Sequence, residues 1–216
     1  MKVKGFTFNP FFENTYVIWD ESCGECAIID PGMSDTNEEE KLKSFVKNNS
    51  LKVKYLINTH CHIDHVLGVT FTKKEYNPVY LIPEKDLLLF ENAETQAKMF
   101  DVKINKLPAP DKYLSESENI TLGSESIINL FTPGHTPGEF SLYSKESKFC
   151  ITGDVLFKES IGRTDLLGGD YDTIINSIKS KLFTLPDEVV IYPGHGEEST
   201  IGYEKQHNPF LIGTFN

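Results

Sequence analysis

The sequence THCHIDH at residues 59–65 is the most informative part of this 216-residue chain. It comes directly after apolar residues at 53–57, which we predict to form a short buried strand. In an extended chain, alternation turns His60 and His62 to one side and the intervening cysteine to the other. Asp64 and His65 then lie at the start of the next helix, where they can face a second metal ion. Ordinary packing does not explain this run, because four polar ligands would crowd one rim.

Three further candidates for metal binding follow apolar strands later in the chain. They are His135 in TPGHTPG (132–138), Asp154 in TGD (152–154) and His195 in YPGHG (192–196). Glycine beside each one lets the backbone approach closely at a sheet edge. Imidazoles and carboxylates without a nearby thiolate pair suit Zn²⁺, Fe²⁺ or Mn²⁺. The predicted ligands therefore number seven, enough for two metal sites that share a bridging carboxylate: His60, His62, Asp64, His65, His135, Asp154 and His195.

The composition limits the function classes. A formal net charge of -11 repels phosphate backbones, so nucleic acid is not an expected partner. No apolar stretch is long enough to span a membrane, and the N-terminus has no signal-peptide core, so we expect a cytoplasmic protein. We expect one domain over residues 1–216, with monomer and dimer both open. Cys23 and Cys26 have the spacing of a redox pair, but we interpret them as flanking a hairpin turn.

Periodicity predicts strands in two blocks, each followed by helices, which favours an α/β (α+β) sandwich of two sheets with helices outside. The predicted strands are residues 3–8, 14–19, 25–29, 53–57, 79–82, 120–122, 127–131, 140–144, 149–152 and 189–192. The predicted helices are residues 34–48, 64–76, 84–100 and 171–182, with a surface loop at 103–117.

The histidine run, the TPGHTPG turn, the GD strand end and the PGHG turn together resemble the metallo-β-lactamase superfamily. The resemblance spans residues 59–195 and implies a four-layer αββα sandwich, with two mixed β-sheets flanked by helices. It also implies an assignment of the ligands. His60, His62 and His135 would hold the first metal, Asp64, His65 and His195 the second, and Asp154 would bridge the two.

Within the superfamily, the chain is most similar to the short bacterial members of the glyoxalase II-like (hydroxyacylglutathione hydrolase-like) branch. The segments that carry this likeness are GRTD (162–165), GGD (168–170) and GYEKQHNPF (202–210). We expect the chain to lack the C-terminal helical region that supplies basic glutathione-binding residues in full-length glyoxalase II. Glutathione as the natural thiol is therefore left open.

The resemblance predicts a thioester hydrolase with two divalent metal ions. Zinc is the expected metal, and iron and manganese are the alternatives. A metal-bridging hydroxide would attack the acyl carbonyl of a small-molecule acyl thioester. Asp64 and Asp154 are the predicted catalytic residues, and Asp64 could orient the hydroxide. Arg163 could bind a substrate carboxylate, or it could form a salt bridge with Asp165 or Asp170.

Other functions remain open at this point. A mononuclear iron persulfide dioxygenase of the same fold shares the THCHxDH and GRTD motifs, so Cys61 and Arg163 support it. A lactonase would act on a neighbouring class of substrate. A non-catalytic metal-binding protein is disfavoured, because every ligand is present. True β-lactamases fit poorly, since they carry arginine in place of His65 and commonly cysteine in place of Asp154.

Overall fold

The computed structural model describes residues 1–212, which form two compact units. The first unit comprises Met1–Leu114 and Thr121–Ser126, and the second comprises Ser115–Ile120 and the chain from Ile127 onward. We expect a single domain over residues 1–216. Residues 213–216 lie outside the described part of the chain, and the single domain stays a prediction.

The first sheet is mixed and has six strands in the order β1 to β6. The strands are β1 (Lys2–Phe8), β2 (Glu13–Trp19), β3 (Glu25–Ile29), β4 (Lys52–Ile57), β5 (Val79–Ile82) and β6 (Lys112–Tyr113). The predicted meander is confirmed, since β1, β2 and β3 pair antiparallel. From β3 to β6 the strands pair in parallel. Because parallel strands end at the same sheet edge, the residues that follow β3 and β4 come close together.

Five helices belong to the first unit: α1 (Thr36–Asn48), α2 (Ile63–Val66), α3 (Val69–Tyr76), α4 (Leu87–Glu91) and α5 (Ala93–Met99). The prediction of one helix over residues 64–76 is wrong, because the chain breaks between α2 and α3. Gly68 N donates to the Pro31 carbonyl at 2.7 Å. A Cβ on Gly68 would lie 2.6 Å from Met33 Cε, so only glycine fits this close approach.

The predicted loop at 103–117 contains the short strand β6, which the sequence did not reveal. This segment is held against the first unit at several points. Asp111 N donates to the Tyr80 carbonyl at 2.9 Å, and Thr70 Oγ1 donates to the Lys106 carbonyl at 3.0 Å. Residues 103–114 therefore pack on the sheet rather than projecting from it.

Residues 121–126 belong to the first unit although the chain on both sides of them belongs to the second. The Asp20 carboxylate accepts from Ser124 N at 2.9 Å, and Glu25 Oε2 accepts from Gly123 N at 3.0 Å. The N-terminal ammonium of Met1 donates to Glu125 Oε1. These polar contacts fasten the segment to one end of the β1–β3 meander, where β1 and β3 begin and β2 ends.

The second sheet is also mixed, in the order β14-β13-β10-β9-β8-β7. The remaining strands are β7 (Ile120–Leu122), β8 (Glu125–Phe131), β9 (Phe140–Ser144), β10 (Phe149–Gly153), β11 (Leu156–Phe157), β12 (Ser160–Ile161), β13 (Val190–Pro193) and β14 (Ser199–Thr200). β11 and β12 form a separate small hairpin. β10 and β13 pair in parallel, with a register shift between Ile151 and Gly153 just before Asp154.

Two helices, α6 (Tyr171–Ser180) and α7 (Ile201–His207), complete the second unit. The structure confirms the fold class, because each block of strands forms a six-stranded mixed sheet with flanking helices. The sequence did not predict α7, β14 or the β11–β12 hairpin, all of which are short. Within residues 1–212, no helix combines the length and the apolar character needed to cross a bilayer.

Candidate metal centre

The histidine run begins one residue after Asn58, which follows β4, and it leads into α2. His60 and His65 are fully buried, whereas the Asp64 side chain is 14% exposed. The His60 ring lies 5.0 Å from that of His62 and 4.1 Å from that of His65, between centroids. His65 Nε2 lies 3.7 Å from Asp64 Oδ2. The run therefore gathers the four predicted ligands of the first unit.

Cys61 points away from these imidazoles, as alternation predicts. Its side chain is fully buried in the apolar cluster that includes Leu56, Val66 and Tyr80. Burial raises the pKa of the Cys61 thiol well above its usual range. Cys61 is therefore a neutral core residue in this structure.

Asp30 organises the run from the end of the neighbouring strand β3. Its Oδ1 accepts from Thr59 N at 2.7 Å, and its Oδ2 accepts from Thr59 Oγ1 at 2.6 Å. His65 Nδ1 lies 3.3 Å from the same Oδ2. One buried carboxylate thus fixes both the backbone at the start of the run and the imidazole near its end.

These contacts define the ring nitrogens that remain for a metal. Thr59 Oγ1 gives its single proton to Asp30, so it accepts from His60 Nδ1, which lies 3.1 Å away. His65 Nδ1 faces Asp30 Oδ2. In His60, Nε2 then carries the lone pair, which is the arrangement that outer hydrogen bonds produce in metal-binding histidines.

Ligand atoms of Asp30, His60 and His65 also lie within 4.8 Å of one another. Geometry alone would allow these three residues to hold an ion. The oxygens of Asp30 already accept hydrogen bonds from Thr59, however, and face the Nδ1 side of His65. We therefore assign Asp30 as the residue that orients the ligands.

A second buried chain of hydrogen bonds supports the backbone of the run. Tyr80 Oη donates to Asn58 Oδ1 at 2.8 Å, and Asn58 Nδ2 donates to the His65 carbonyl at 2.7 Å. Both side chains are fully buried. Burial raises the pKa of Tyr80 well above its ordinary value, so the phenol stays protonated and remains a donor.

Glu13 is a third buried group beside His65 that sequence reasoning missed. Thr15 Oγ1 lies 2.8 Å from the Asp30 carbonyl and 3.0 Å from Glu13 Oε2. The hydroxyl has one proton and the carbonyl can only accept, so Glu13 must supply the other proton. Burial raises the pKa of Glu13 well above its usual range, in agreement with this protonated state.

The second unit brings its three predicted ligands together. Asp154 Oδ2 lies 3.5 Å from His135 Nε2 and 3.6 Å from His195 Nε2. His135 Nδ1 donates to the Arg163 carbonyl at 2.7 Å, which again leaves Nε2 as the ligand atom. Asp154 N donates to Glu139 Oε1 at 2.6 Å. A single carboxylate oxygen therefore faces two oriented imidazoles.

Two glycines, Gly134 and Gly162, let neighbouring backbone segments approach closely beside this cluster of ligands. Gly134 has φ +134°, and a Cβ there would lie 2.3 Å from Ile174 N at the start of α6. A Cβ on Gly162 would lie 1.7 Å from the Asp154 carbonyl oxygen and 3.2 Å from His135 Cβ. Larger residues at these positions would displace the ligands that the glycines flank.

The Arg163 guanidinium forms a two-pronged ion pair with Asp165, at 2.7 and 2.8 Å. This confirms the salt-bridge alternative, while the substrate-binding role stays a prediction. The ion pair holds the pKa of Asp165 at about 2. The Arg163 side chain is 61% exposed, so it remains accessible to solutes.

The other residues considered from the sequence have structural roles. All four cysteines are free, and Cys23 is exposed while Cys26 is buried at the start of β3. Trp19 pairs with Cys26 across the β2–β3 hairpin, which confirms the turn interpretation. The exposed His207 stacks on Tyr203 at 4.3 Å, as expected of a surface residue.

The donor atoms fit a divalent metal in their spacing and chemistry. Ligands at ~2.0–2.1 Å from a tetrahedral ion are roughly 3.3 Å apart. The 3.7 Å separation of His65 Nε2 from Asp64 is near this value. Asp154 Oδ2 lies 3.5 Å from His135 Nε2 and 3.6 Å from His195 Nε2, and both distances are closer to the expected ligand separation. These histidine and aspartate clusters are consistent with a binuclear metal site.

Comparison with known proteins places this chain among metal-dependent hydrolases. Residues 8–195 match the metallo-beta-lactamase superfamily. The chain is 39% identical to hydroxyacylglutathione hydrolase GloC of Haemophilus influenzae, over 98% of each chain. It is 34% identical to the probable metallo-hydrolase YqgX of Bacillus subtilis, over 99% of each chain. With its metal-ligand clusters, the chain is a metallo-hydrolase.

Solved structures agree with this relationship. The BLEG-1 B3 metallo-beta-lactamase is 32% identical, with a TM-score of 0.90 over 98% of this chain and 100% of that one. TTHA1623 in a di-iron-bound form is 33% identical, with a TM-score of 0.84 over 96% of this chain and 100% of that one. The chain therefore belongs to the metallo-β-lactamase superfamily.

Proposed function

We propose that the protein is a binuclear thioester hydrolase, similar in activity to hydroxyacylglutathione hydrolase. The observation that carries this proposal is the position of Asp154 Oδ2, which lies 3.5 Å from His135 Nε2 and 3.6 Å from His195 Nε2. A carboxylate oxygen that faces two metal-binding imidazoles is suited to bridge two ions. The 39% identity with a hydroxyacylglutathione hydrolase supports the choice of substrate class.

The proposed ligand assignment follows from membership of the superfamily. His60, His62 and His135 would hold one ion, and Asp64, His65 and His195 the other, with Asp154 shared between them. The hydrogen bonds from Nδ1 of His60 and His135 support this assignment, because they leave Nε2 of each ring for a metal. His65 Nδ1 lies 3.3 Å from Asp30 Oδ2, which is consistent with the same orientation.

When bound, two divalent cations would lower the pKa of a coordinated water and polarise the acyl carbonyl. The protein's own residues would control how the reactants are placed. Asp64 would accept a hydrogen bond from the attacking water and orient it toward the carbonyl carbon. Asp30 would hold the His65 ring and, through Thr59, the His60 ring in fixed positions.

A thioester suits a site of this kind because its leaving group is easily released. A thiol with a pKa near ~8.5 departs as the thiolate without a strong general acid. Cys61 does not serve as such an acid, since its thiol is buried in the apolar cluster on the far side of the run. The proposed mechanism therefore requires only binding and orientation from the protein side chains.

Arg163 is our proposed contact for a carboxylate on the substrate. Its ion pair with Asp165 is exposed to solvent, where water and salt screen the attraction. A substrate carboxylate could therefore compete with Asp165 for the guanidinium. The two-pronged geometry at 2.7 and 2.8 Å shows that the guanidinium already accommodates a carboxylate.

Zinc is our proposed metal, with iron and manganese as alternatives. Three imidazoles with one carboxylate, or two imidazoles with two carboxylates, suit all three ions. The di-iron form of the 33% identical relative makes iron a strong competitor. Metal identity must therefore be varied in any test of activity.

The decisive experiment measures anaerobic hydrolysis of S-lactoylglutathione by protein loaded separately with zinc, iron or manganese. We expect turnover without oxygen, and we expect Asp154→Ala to lose both turnover and bound metal. His207→Ala is the matched control, because that histidine is exposed, stacks on Tyr203 at 4.3 Å and donates to the Tyr203 carbonyl at 3.0 Å. An Asp154→Ala enzyme with unchanged turnover would disprove the binuclear proposal.

Two further substrates test the alternatives in the same assay. Oxygen uptake on glutathione persulfide by the iron form, without thioester turnover, would favour the dioxygenase. Because one solved relative is a B3 metallo-beta-lactamase, a chromogenic cephalosporin belongs in the panel. Faster turnover of that cephalosporin than of the thioester would replace our proposal with β-lactam hydrolysis.

A further inference from the structure

The segment GYEKQHNPF at residues 202–210 lies outside the proposed set of metal ligands, yet two of its polar side chains are completely buried. They are Glu204, within α7, and Asn208, which follows directly after that helix. A buried carboxylate or amide is costly unless its polar atoms form hydrogen bonds. The partners of Glu204 and Asn208 therefore indicate what this burial supports.

Both side chains bind the tip of the β11–β12 hairpin. Glu204 Oε2 accepts from Glu159 N at 2.9 Å and from Asn208 Nδ2 at 2.9 Å, while Glu204 Oε1 accepts from Ser199 Oγ. Asn208 Nδ2 also donates to the Ser160 carbonyl at 3.0 Å. Glu159 is in the turn of the hairpin, and Ser160 begins its second strand. The buried pair thus fastens the hairpin to α7.

The backbone at the hairpin tip depends on such support. Glu159 has a φ of +56°, in the left-handed region that residues other than glycine rarely adopt. A strained backbone of this kind persists when surrounding contacts fix it. The Glu159 N–H is held by Glu204, and the Glu159 carboxylate accepts from Tyr203 Oη. Deleting the Glu204 carboxylate removes the acceptor of that N–H, so the turn can relax.

The hairpin connects two of the proposed ligands through the chain itself. β11 begins two residues after Asp154, and β12 ends two residues before Arg163. The Arg163 carbonyl accepts from His135 Nδ1 at 2.7 Å. Gly162 N donates to the Val155 carbonyl at 3.2 Å and closes the base of the hairpin. A shift of the hairpin would therefore move both Asp154 and the acceptor that orients His135.

The hairpin also contacts the turn that carries the third proposed ligand of this unit. The Phe157 ring meets the His195 ring edge to face, with centroids 6.3 Å apart. Lys158 Nζ donates to Glu197 Oε2 at 2.7 Å, and Glu197 lies two residues after His195. Each proposed ligand of the second unit is thus linked to the same hairpin.

We propose that Glu204 is a positioning residue for the metal centre, because it fixes the hairpin that places Asp154, His135 and His195. Asn208 assists by holding the other side of the hairpin turn. This inference rests on the ligands of the proposed function but not on its substrate. The groups that donate to Glu204 are a backbone N–H, an amide and a hydroxyl. Hydrogen-bond geometry rather than charge therefore carries the effect.

The test compares metal binding by Glu204→Ala and Glu204→Gln. In the glutamine variant the amide oxygen can accept from Glu159 N and Asn208 Nδ2, and the amide nitrogen can donate to Ser199 Oγ. Competition with a chromophoric chelator should give a Kd for zinc roughly tenfold higher in Glu204→Ala. Glu204→Gln should stay within about twofold of the unaltered protein. In the cobalt-loaded protein, visible absorption depends on ligand geometry, so we expect an altered spectrum only in Glu204→Ala.

Two more variants separate positioning from general stability. Lys205→Gln is the matched control in the same helix, because Lys205 Nζ donates to Asp187 at 2.7 Å and to the Leu185 carbonyl at 3.3 Å, outside the hairpin. We expect it to keep the zinc Kd and the cobalt spectrum even if its Tm falls. Asn208→Ala leaves the bond from Glu159 N to Glu204 and should raise the zinc Kd several-fold. It carries the test if Glu204→Ala does not fold.

The outcomes distinguish this inference from the proposed function. Unchanged zinc affinity and cobalt spectrum in Glu204→Ala or, if that variant does not fold, in Asn208→Ala would overturn the positioning role. Equal losses in Glu204→Gln and Glu204→Ala, or an equal effect of Lys205→Gln, would overturn it as well. Asp154→Ala, measured in parallel, tests the ligands themselves. If Asp154→Ala binds zinc like the unaltered protein, the ligand set of the proposed function is wrong.

Discussion

The hydrogen bond between Thr59 and Asp30 provides a direct test of how this protein prepares its ligands. Thr59→Val removes the hydroxyl that donates to Asp30 Oδ2 at 2.6 Å and that accepts from His60 Nδ1 at 3.1 Å. The backbone N–H at the same position keeps its 2.7 Å bond to Asp30 Oδ1. The substitution therefore leaves the chain path unchanged and deletes only the contact that orients the His60 ring.

The size of the effect follows from these contacts. A hydrogen bond to a charged group contributes ~1.5–3 kcal/mol, and the buried imidazole N–H left without an acceptor adds a cost of similar size. Loss of an outer hydrogen bond to a metal ligand typically lowers metal affinity ~10–100-fold. We expect Thr59→Val to raise the Kd for zinc within that range, equivalent to ~1.4–2.8 kcal/mol.

The assay is competition for zinc against a chromophoric chelator, together with urea unfolding of the metal-free protein. Thr59→Ser is the control, because it keeps the hydroxyl and should bind zinc within about twofold of the unaltered protein. If Thr59→Val binds zinc as tightly as the unaltered protein, the hydrogen bonds that join His60 to Asp30 through Thr59 do not control the orientation of the His60 ring. If Thr59→Ser, which keeps the hydroxyl, loses as much affinity as Thr59→Val, the hydroxyl alone does not account for the effect and the reasoning is also refuted.

Two further predictions follow from the close packing around the ligands and the cysteines. Gly162→Ala would place a Cβ 1.7 Å from the Asp154 carbonyl oxygen. Overpacking of this kind costs typically ~1–3 kcal/mol, so we expect a Tm several degrees lower and reduced metal content. A Gly162→Ala variant with an unchanged Tm would refute the close approach of Gly162 to the Asp154 carbonyl. In the native protein only Cys23 should react with a thiol reagent, because the other three cysteines are buried. All four should react in denaturant, and rapid labelling of more than one thiol under native conditions would contradict the structure.

The sequence was sufficient to predict which candidate side chains come together, because they follow the ends of apolar strands. The run at 59–65 follows β4, and Asp154 follows β10. Strand ends are local features of a sequence, and the glycine that precedes His135, Asp154 and His195 marked those three further. Parallel pairing then brings such ends to one edge, so the gathering of Asp154 with His195 could be expected from topology.

The residues that orient the ligands were harder to predict. Asp30 follows β3 in the same way that Asn58 follows β4, and an aspartate at that strand end was a usable signal. Glu13 and Tyr80 gave no signal, because their roles depend on partners far away in the chain. The break between α2 and α3 was also hidden, since it results from the approach of Pro31 and Met33 to Gly68.

The segment at residues 121–126 has a consequence for dividing the protein into fragments. A gene fragment that ends at Leu114 would contain all six strands of the first sheet. It would lack the partners that Asp20, Glu25 and the N-terminal ammonium contact in this segment. A fragment must therefore extend to Ser126 to keep these hydrogen bonds, and it then also carries residues 115–120, which belong to the second unit. Such a fragment would end inside β8, so the second sheet could not be expressed whole from the remaining chain.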